Sequence, residues 1–111
     1  MKSVKQLIEE ANKIVIKLGS NTISGADGKV NRELMRDIIG QVCSMIRKGK
    51  RVILVSSGAG ICGVSAINKW SRKGDINYKQ ALCAIGQVEL MNMYKELFGE
   101  YGIHVAQILL T

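Results

Sequence analysis

The chain has 111 residues, of which 47% are hydrophobic and 23% charged, and this balance excludes a disordered chain and fits one globular domain. The longest apolar runs are far shorter than the ~20 residues of a membrane-spanning helix, and glutamates interrupt the N-terminal apolar stretch. We therefore expect no membrane partner and a cytoplasmic location. The three cysteines form no C-x-x-C pair, which indicates free thiols that act as small buried hydrophobes.

The formal net charge of +7 raises the question of a polyanionic partner. The basic residues are spread along the sequence, with one cluster over residues 47–51 at the end of a predicted helix, where cations favour the carbonyl end of the helix dipole. Only 5% of the residues are aromatic, so few side chains could stack on bases. Nucleic-acid binding is therefore not favoured.

The first half of the chain is predicted as helix, strand and helix. A short helix is predicted over Val4–Ala11, and an almost continuous aliphatic strand, typical of one covered on both faces, over Lys13–Leu18. The glycine-bearing stretch of residues 20–30 is expected to form a hairpin or a flap. Asn31 is predicted to cap a helix that ends at Gly49. Its apolar stripe consists of Leu34, Met35, Ile38, Ile39, Val42, Met45 and Ile46.

A second aliphatic strand is predicted over Arg51–Ser56, which makes a βαβ unit with two parallel strands. A helix is expected to run from Gly58 to about Trp70.

The last third is predicted as loop, helix and strand. The loop covers residues 71–76, and Asn77 is predicted to cap a long helix, with Gln80 completing a capping box. The helix is expected to end at Gly102, and a third strand to span Ile103–Leu110. The apolar face of the predicted long helix consists of Leu82, Ile85, Leu90, Met93, Tyr94 and Leu97. The fold class is therefore α/β with a parallel sheet, whose open edges indicate part of a larger domain.

Two glycine-containing loops directly follow the first two strands: the first loop is Lys17–Ser20 and the second loop is Ser56–Gly60. The carboxyl ends of parallel strands share one edge of a sheet, and ligands bind there. Lys17 suits a phosphate, although a strand-terminal lysine that only reaches water explains it equally well. Ser57 and the following amides suit an anion, although a plain helix cap is the alternative.

Other catalytic constellations find little support in the sequence. His104 is the only histidine and is expected to be a strand residue rather than a triad member. The cysteines are too scattered to form a metal site.

The chain resembles the glutamate 5-kinase (γ-glutamyl kinase) family of the amino-acid kinase superfamily from Lys13 to Thr111. The lysine-glycine loop alone also fits aspartate kinases and UMP kinases, whereas the serine-rich turn, the helix motif and the closing segment favour the glutamate enzymes. The matching segments are Lys17–Thr22, Val55–Ala59, Gln80–Gln87, Tyr94–Phe98 and Tyr101–Thr111.

The resemblance implies an αβα sandwich, homo-oligomers of the full-length protein, and phosphorylation of the γ-carboxylate of L-glutamate by ATP, the first step of proline biosynthesis. It implies that Mg²⁺ binds with the nucleotide and not to residues of this chain. The substrate carboxylate is the nucleophile, so no general base is needed. The ATP phosphates would contact Lys17, which is also the catalytic residue, Gly19 and Ser20. Glutamate would contact Ser57, Gly58 and Ala59.

Residues 1–111 are expected to be the N-terminal part of an amino-acid kinase domain. The family usually continues the second loop as Val-Ala-Ala-Gly, where this chain has Gly60-Ile-Cys-Gly63. The later Asn-Asp-rich segment of the glutamate site, the nucleotide-binding half and any RNA-binding-type C-terminal domain are expected to be absent. We therefore expect the chain alone to be inactive. The alternatives are another superfamily member, of the aspartate or UMP kinase type, and a non-catalytic truncated glutamate-binding module.

Overall fold

The computed structural model describes residues 1–67 and 75–110, which contain two parallel strands and five helices. None of these helices has the length and apolar character needed to cross a membrane. The elements are α1 (Val4–Glu10), β1 (Lys13–Leu18), α2 (Ser20–Ile23), α3 (Arg32–Arg47), β2 (Arg51–Ser56), α4 (Ala59–Ile67) and α5 (Ile76–Gly99).

Both strand predictions are confirmed to the residue. The strands pair in parallel, with Lys13 opposite Arg51 at one end and Leu18 opposite Ser56 at the other. The two loops that follow the strands therefore leave the sheet side by side, because neighbouring strands lie about 4.8 Å apart. The predicted βαβ unit is present, with α3 as its helix.

One face of this sheet packs on the core, and the other lies open among the described residues. Ile16 and Leu54 pack against the core, whereas Val15 and Ile53 remain 66% and 63% exposed. The prediction of a strand covered on both faces is therefore wrong for this part of the chain. The core on the covered face consists of Leu18, Ile23, Met35, Ile39, Val42, Cys43, Cys62, Leu90, Met93, Tyr94, Leu97 and Phe98.

The boundaries of α3 follow from its capping residues. The Asn31 side chain accepts a hydrogen bond from the Leu34 amide at 3.1 Å, which confirms the predicted cap. Gly49 adopts a φ of +87°, the left-handed conformation that favours glycine after a helix. The predicted stripe packs on the core except for Leu34, which is 38% exposed at the start of the helix.

The basic cluster at the end of α3 is divided between two helices: Arg47 lies in the last turn of α3, as predicted, whereas Lys50 contacts α1. The Lys50 ammonium donates to the carbonyl oxygens of Ile8, Glu9 and Ala11 at 3.0, 2.9 and 2.6 Å. A cation thus meets the carbonyl end of α1, a helix without buried residues, and ties it to the start of β2. The Arg47 guanidinium lies over the Tyr101 ring at 5.3 Å, which is a cation–π contact.

The first loop leads into a helical turn that the sequence did not indicate. Residues Ser20–Ile23 form α2, and a single antiparallel bridge between Ser24 and Val30 then closes the glycine turn. The amide of Gly25 donates to the Lys29 carbonyl at 2.7 Å. The predicted hairpin therefore exists as one bridge and a turn.

The start of α5 corrects the predicted cap. Asp75, not Asn77, caps the helix, because its carboxylate accepts from the amides of Asn77 and Tyr78 at 2.9 and 3.2 Å. The chain offers two capping residues two positions apart, and the earlier one begins the helix, so the capping box with Gln80 is wrong. Ile85 is predicted to lie on the apolar face of this helix, but its side chain is 43% exposed. Trp70 and residues 71–74 of the loop predicted over 71–76 lie outside the described residues, and Ile76 belongs to α5 rather than to that loop.

The prediction of a third strand over Ile103–Leu110 is wrong for this chain. Ile103 and Val105 are half-buried and His104 is exposed, so the alternation typical of a strand is real. A strand also needs a neighbouring strand to which its backbone is hydrogen-bonded, however, and none of the described residues pairs in this way with residues 103–110. Within residues 1–67 and 75–110, the Ile103 amide donates to the Phe98 carbonyl at the end of α5 rather than to a strand. His104 is therefore not a strand residue.

Candidate functional site

The second loop joins β2 to α4 through a residue that must be glycine. Gly58 adopts a φ of +113°, which L side chains rarely tolerate. Its carbonyl oxygen accepts from the Cys62 amide at 2.9 Å, so α4 begins directly after it. The Ser57 amide donates to the Leu18 carbonyl at 2.9 Å and thereby extends the contact between the strands into the loop.

A side chain from the first loop region packs beneath Gly58. A Cβ at Gly58 would lie 2.9 Å from Cδ1 of Ile23, a fully buried residue of α2. α2 starts directly after Gly19, so the conformation of the first loop determines where Ile23 stands. Two contacts therefore link the loops: the hydrogen bond from the Ser57 amide to the Leu18 carbonyl, and the packing of Ile23 against Gly58.

The helix α5 supports the second loop from behind, through two close glycine contacts. A Cβ at Gly86 would overlap the carbonyl oxygen of Ala59, and a Cβ at Gly63 would overlap the carbonyl oxygen of Leu82. The two helix backbones approach as closely as glycine allows. The glycine of the Gln80–Gln87 motif thus positions the start of α4, where the anion-binding amides were predicted.

A chain of hydroxyl groups also reaches the second loop from α5. The Tyr94 hydroxyl lies 2.6 Å from Oγ of Ser56, and that Oγ donates to the Ser57 carbonyl at 2.9 Å. Tyr94 is only 5% exposed, and its ring packs beside Phe98 with centroids 6.4 Å apart. Burial raises the pKa of the Tyr94 phenol, so it stays protonated at neutral pH.

The first loop is open where the second loop is packed. Lys17 is exposed, opposite Val55 on the uncovered face of the sheet, and no carboxylate among the described residues pairs with it. A Cβ at Gly19 would find no atom within 4 Å, so packing inside the described structure does not require glycine there. Its carbonyl oxygen accepts from Thr22 and Ile23 at 3.0 and 3.2 Å, and Ser20 is half-buried.

The structure therefore places all six predicted site residues at one edge of the sheet. The Lys17 cation lies on one side, and the Ser57 hydroxyl and the amide that follows it, which donate no hydrogen bond among the described residues, lie on the other. The six residues are Lys17, Gly19, Ser20, Ser57, Gly58 and Ala59. The sequence patterns assign no role to Ile23 and indicate Tyr94 only as part of an apolar face, although a phenol in a buried stripe usually indicates a polar partner.

Two of the three cysteines, Cys43 and Cys62, lie in the core behind this edge. Cys43 and Cys62 are buried, as predicted, and Cys83 is half-buried; all three are free thiols. Burial, and secondarily the charge of Glu89, raises the pKa of the Cys62 thiol to about 11, so it is un-ionised at neutral pH. No cluster of histidine, cysteine, aspartate or glutamate within residues 1–67 and 75–110 could hold a metal ion.

A groove of about 740 Å³ lies elsewhere, between the second half of α5 and residues 102–107. It is lined by Gln87, Met91, Lys95 and His104 among others, and by no residue of either loop. It is therefore separate from the candidate site.

Residues 12–111 match the model of the amino acid kinase family. The chain is 51% identical over 108 residues to a glutamate 5-kinase of Alkaliphilus oremlandii. These 108 residues are 97% of this chain and 41% of that protein. It is 45% identical over 111 residues to a glutamate 5-kinase of Methanococcoides burtonii, covering 100% of this chain and 30% of that protein. The chain thus spans about two fifths or less of these relatives. It belongs to the amino acid kinase family.

Proposed function

We propose that the protein to which this chain belongs is a kinase that phosphorylates the γ-carboxylate of L-glutamate with ATP, in proline biosynthesis. One observation supports this most strongly: both loops meet at a single sheet edge, with the Lys17 cation on one side and the Ser57 hydroxyl and following amides on the other. Relatives named glutamate 5-kinase at 51% identity favour glutamate as the acceptor.

We assign the ATP phosphates to the first loop, at Lys17, Gly19 and Ser20. The open space above Gly19 lets a phosphate approach the backbone, and the exposed ammonium of Lys17 balances charge on the transferred group. We assign glutamate to Ser57, Gly58 and Ala59, where a hydroxyl and helix-starting amides suit a carboxylate.

The proposed reaction needs alignment and charge neutralisation rather than a protein nucleophile. A γ-carboxylate oxygen of glutamate forms a bond to the γ-phosphorus of ATP, the bond to the bridging oxygen breaks, and ADP leaves with the electron pair. The carboxylate is ionised at neutral pH, so no base removes a proton. The described residues contain no carboxylate cluster that fits Mg²⁺, so we assign the metal to the nucleotide phosphates and derive no step from it.

The chain matches 41% of the relative from Alkaliphilus oremlandii, so we assign the nucleotide-binding half of the site, and the second half of the αβα sandwich, to residues outside 1–111. The cytoplasmic location and a homo-oligomeric full-length protein are part of the same proposal. The 111-residue chain alone should then form no γ-glutamyl phosphate, and robust activity of the purified chain would contradict this division.

The test is an assay of the natural protein with ATP, magnesium and hydroxylamine, which traps an acyl phosphate as a hydroxamate. We expect product with L-glutamate and far less with L-aspartate, and no phosphorylation of UMP. Equal or faster reaction with aspartate or UMP would favour another reaction of the family. Binding of glutamate without product would favour a non-catalytic module.

The role of Ser57 is tested in the same assay. Ser57→Ala should raise the KM for glutamate about tenfold through the loss of one hydrogen bond, with an unchanged KM for ATP. Ser44→Ala, on the exposed face of α3, is the matched control. An unaltered glutamate KM in Ser57→Ala would overturn the assignment.

A further inference from the structure

We propose that Tyr94 is a positioning residue that sets the direction of the Gly58 amide, acting through Ser56. This rests on the proposed function of the second loop as the glutamate-binding side of the site. Tyr94 belongs to α5 and stands behind the loop, so it would not itself contact a substrate in the crevice.

The protons on the three groups give the hydrogen bonds a direction. The Ser56 hydroxyl has one proton, which it donates to the Ser57 carbonyl at 2.9 Å. The close contact at 2.6 Å between Ser56 Oγ and the Tyr94 hydroxyl therefore uses the phenol proton. Tyr94 donates to Ser56, and Ser56 donates to the Ser57 carbonyl.

The planarity of the peptide bond carries this constraint to the crevice. The Ser57 carbonyl and the Gly58 N–H belong to one planar trans unit and point in opposite directions. A fixed carbonyl therefore fixes the amide proton. No hydrogen bond among the described residues uses the Gly58 N–H, which leaves it available to an anion.

The loop needs such a constraint because glycine there leaves the peptide free to rotate. Gly58 lacks a Cβ and lies at a φ of +113°, with Gly60 only two residues later. The contact with Ile23 restricts the Cα of Gly58, and the contact with Gly86 restricts Ala59, but neither restricts rotation of the peptide before Gly58. The hydroxyl chain restricts that rotation.

The long helix α5 holds Tyr94, the first hydroxyl group of this hydrogen-bonded series, in the core. Tyr94 is 5% exposed and follows Gly86 by eight residues, about 12 Å along the same helix. α5 thus fixes the start of α4 at one position and the end of β2 at another. One helix therefore supports the second loop at two positions, from Gly86 and from Tyr94.

The test compares Tyr94→Phe with wild type in the natural protein. We expect the KM for glutamate to rise about tenfold, and kcat and the KM for ATP to stay within about twofold of the wild-type values. The reason is that an amide that binds the carboxylate equally well in the ground state and the transition state contributes to KM and not to kcat. Tyr101→Phe, which removes a half-buried phenol outside the candidate site, should leave all three constants unchanged.

A spectroscopic readout keeps this inference separate from the proposed function. In ligand-free protein labelled with ¹⁵N, the Gly58 amide resonance should move in Tyr94→Phe and stay in place in Tyr101→Phe. Wild-type protein that lacks glutamate kinase activity would refute the proposed function, while the resonance would still decide whether Tyr94 positions the loop.

A double-mutant cycle tests the route through Ser56. Ser56→Ala should raise the KM for glutamate as much as Tyr94→Phe does. The double variant should have no higher KM than either single variant, because both substitutions break the same series of hydrogen bonds. Ser56→Thr keeps the hydroxyl and should restore the glutamate KM. An unchanged Gly58 resonance in Tyr94→Phe, or effects that multiply in the double variant, would overturn the inference. If Tyr94→Phe does not fold, equal glutamate KM values in Ser56→Ala and Ser56→Thr would overturn it.

Discussion

The two loops at the sheet edge are built in opposite ways. The second loop is held by Ile23 below Gly58, by Gly86 behind Ala59 and by a hydroxyl chain from Tyr94. The first loop presents an exposed Lys17 and a Gly19 with nothing within 4 Å of its missing side chain. Packing therefore explains Gly58 of the second loop and Gly86 behind it, whereas packing among the described residues explains neither Lys17 nor Gly19 of the first loop.

This difference separates stability from binding. A side chain added at Gly58, or at Gly86 behind it, should disturb folding first, because the atoms that it would displace belong to the packed interior of the same molecule. A substitution at Lys17 or Gly19 should leave folding intact and affect ligand binding. The following changes test that distinction in order of expected effect.

Gly86→Ala should produce the largest loss. The new methyl group would overlap the Ala59 carbonyl, a backbone atom that cannot move away without displacing α4. We expect a loss of more than about 3 kcal/mol in the free energy of unfolding, measured by urea denaturation. Gly99→Ala in the same helix has open space and is the control; it should be neutral or slightly stabilising. Equal stability of the two variants would contradict the packing explanation.

Lys17→Met should reduce turnover without destabilising the protein. The change keeps an apolar side chain of similar length and removes the charge that we propose to face the ATP phosphates, so we expect kcat to fall about 100-fold or more in the hydroxamate assay. Lys13→Met lies on the same strand at the far end and should leave kcat unchanged. Normal turnover in Lys17→Met would show that this lysine only reaches solvent.

Gly58→Ala should cost about 2 kcal/mol of unfolding free energy, because a φ of +113° strains any L side chain and the new Cβ would press on Ile23. Adding Ile23→Val removes the Cδ1 atom and should relieve part of that cost, leaving the backbone strain. Thermal denaturation of the single and double variants measures the coupling. Strict additivity would mean that the loops are not linked through Ile23.

Gly19→Ala should have the smallest effect on stability, within about 0.5 kcal/mol, because the position has open space and an ordinary φ of −80°. The added methyl group should still hinder a phosphate and raise the KM for ATP about fivefold. Steady-state kinetics and thermal denaturation of the same preparation check both parts. A marked loss of stability would remove the contrast between the loops.

The sequence predicted those parts of the fold that depend on neighbouring residues. Both strands, the Asn31 cap and the termination of α3 by the left-handed Gly49 follow from local patterns and are confirmed. The third strand failed because strand pairing depends on a distant partner, which the alternation in residues 103–106 does not report. The cap at Asp75 was missed because Asn77 satisfies the same local rule.

The candidate site divides in the same way. The pattern of strand followed by glycine loop located both loops, because parallel strands end at one edge. The supports of the second loop were missed because Ile23 and Tyr94 lie 35 and 36 positions from Gly58 and reach it only in the folded chain. Their sequence neighbours identify them as core residues, which is true but incomplete.

The most direct test of the central claim, that the two loops form one site with separate ligands, is a titration of ¹⁵N-labelled natural protein. L-Glutamate should move the amide resonances of Ser57, Gly58 and Ala59, and a non-hydrolysable ATP analogue should then move those of Gly19 and Ser20. Glutamate that moves only the first-loop resonances, or neither set, would contradict the claim.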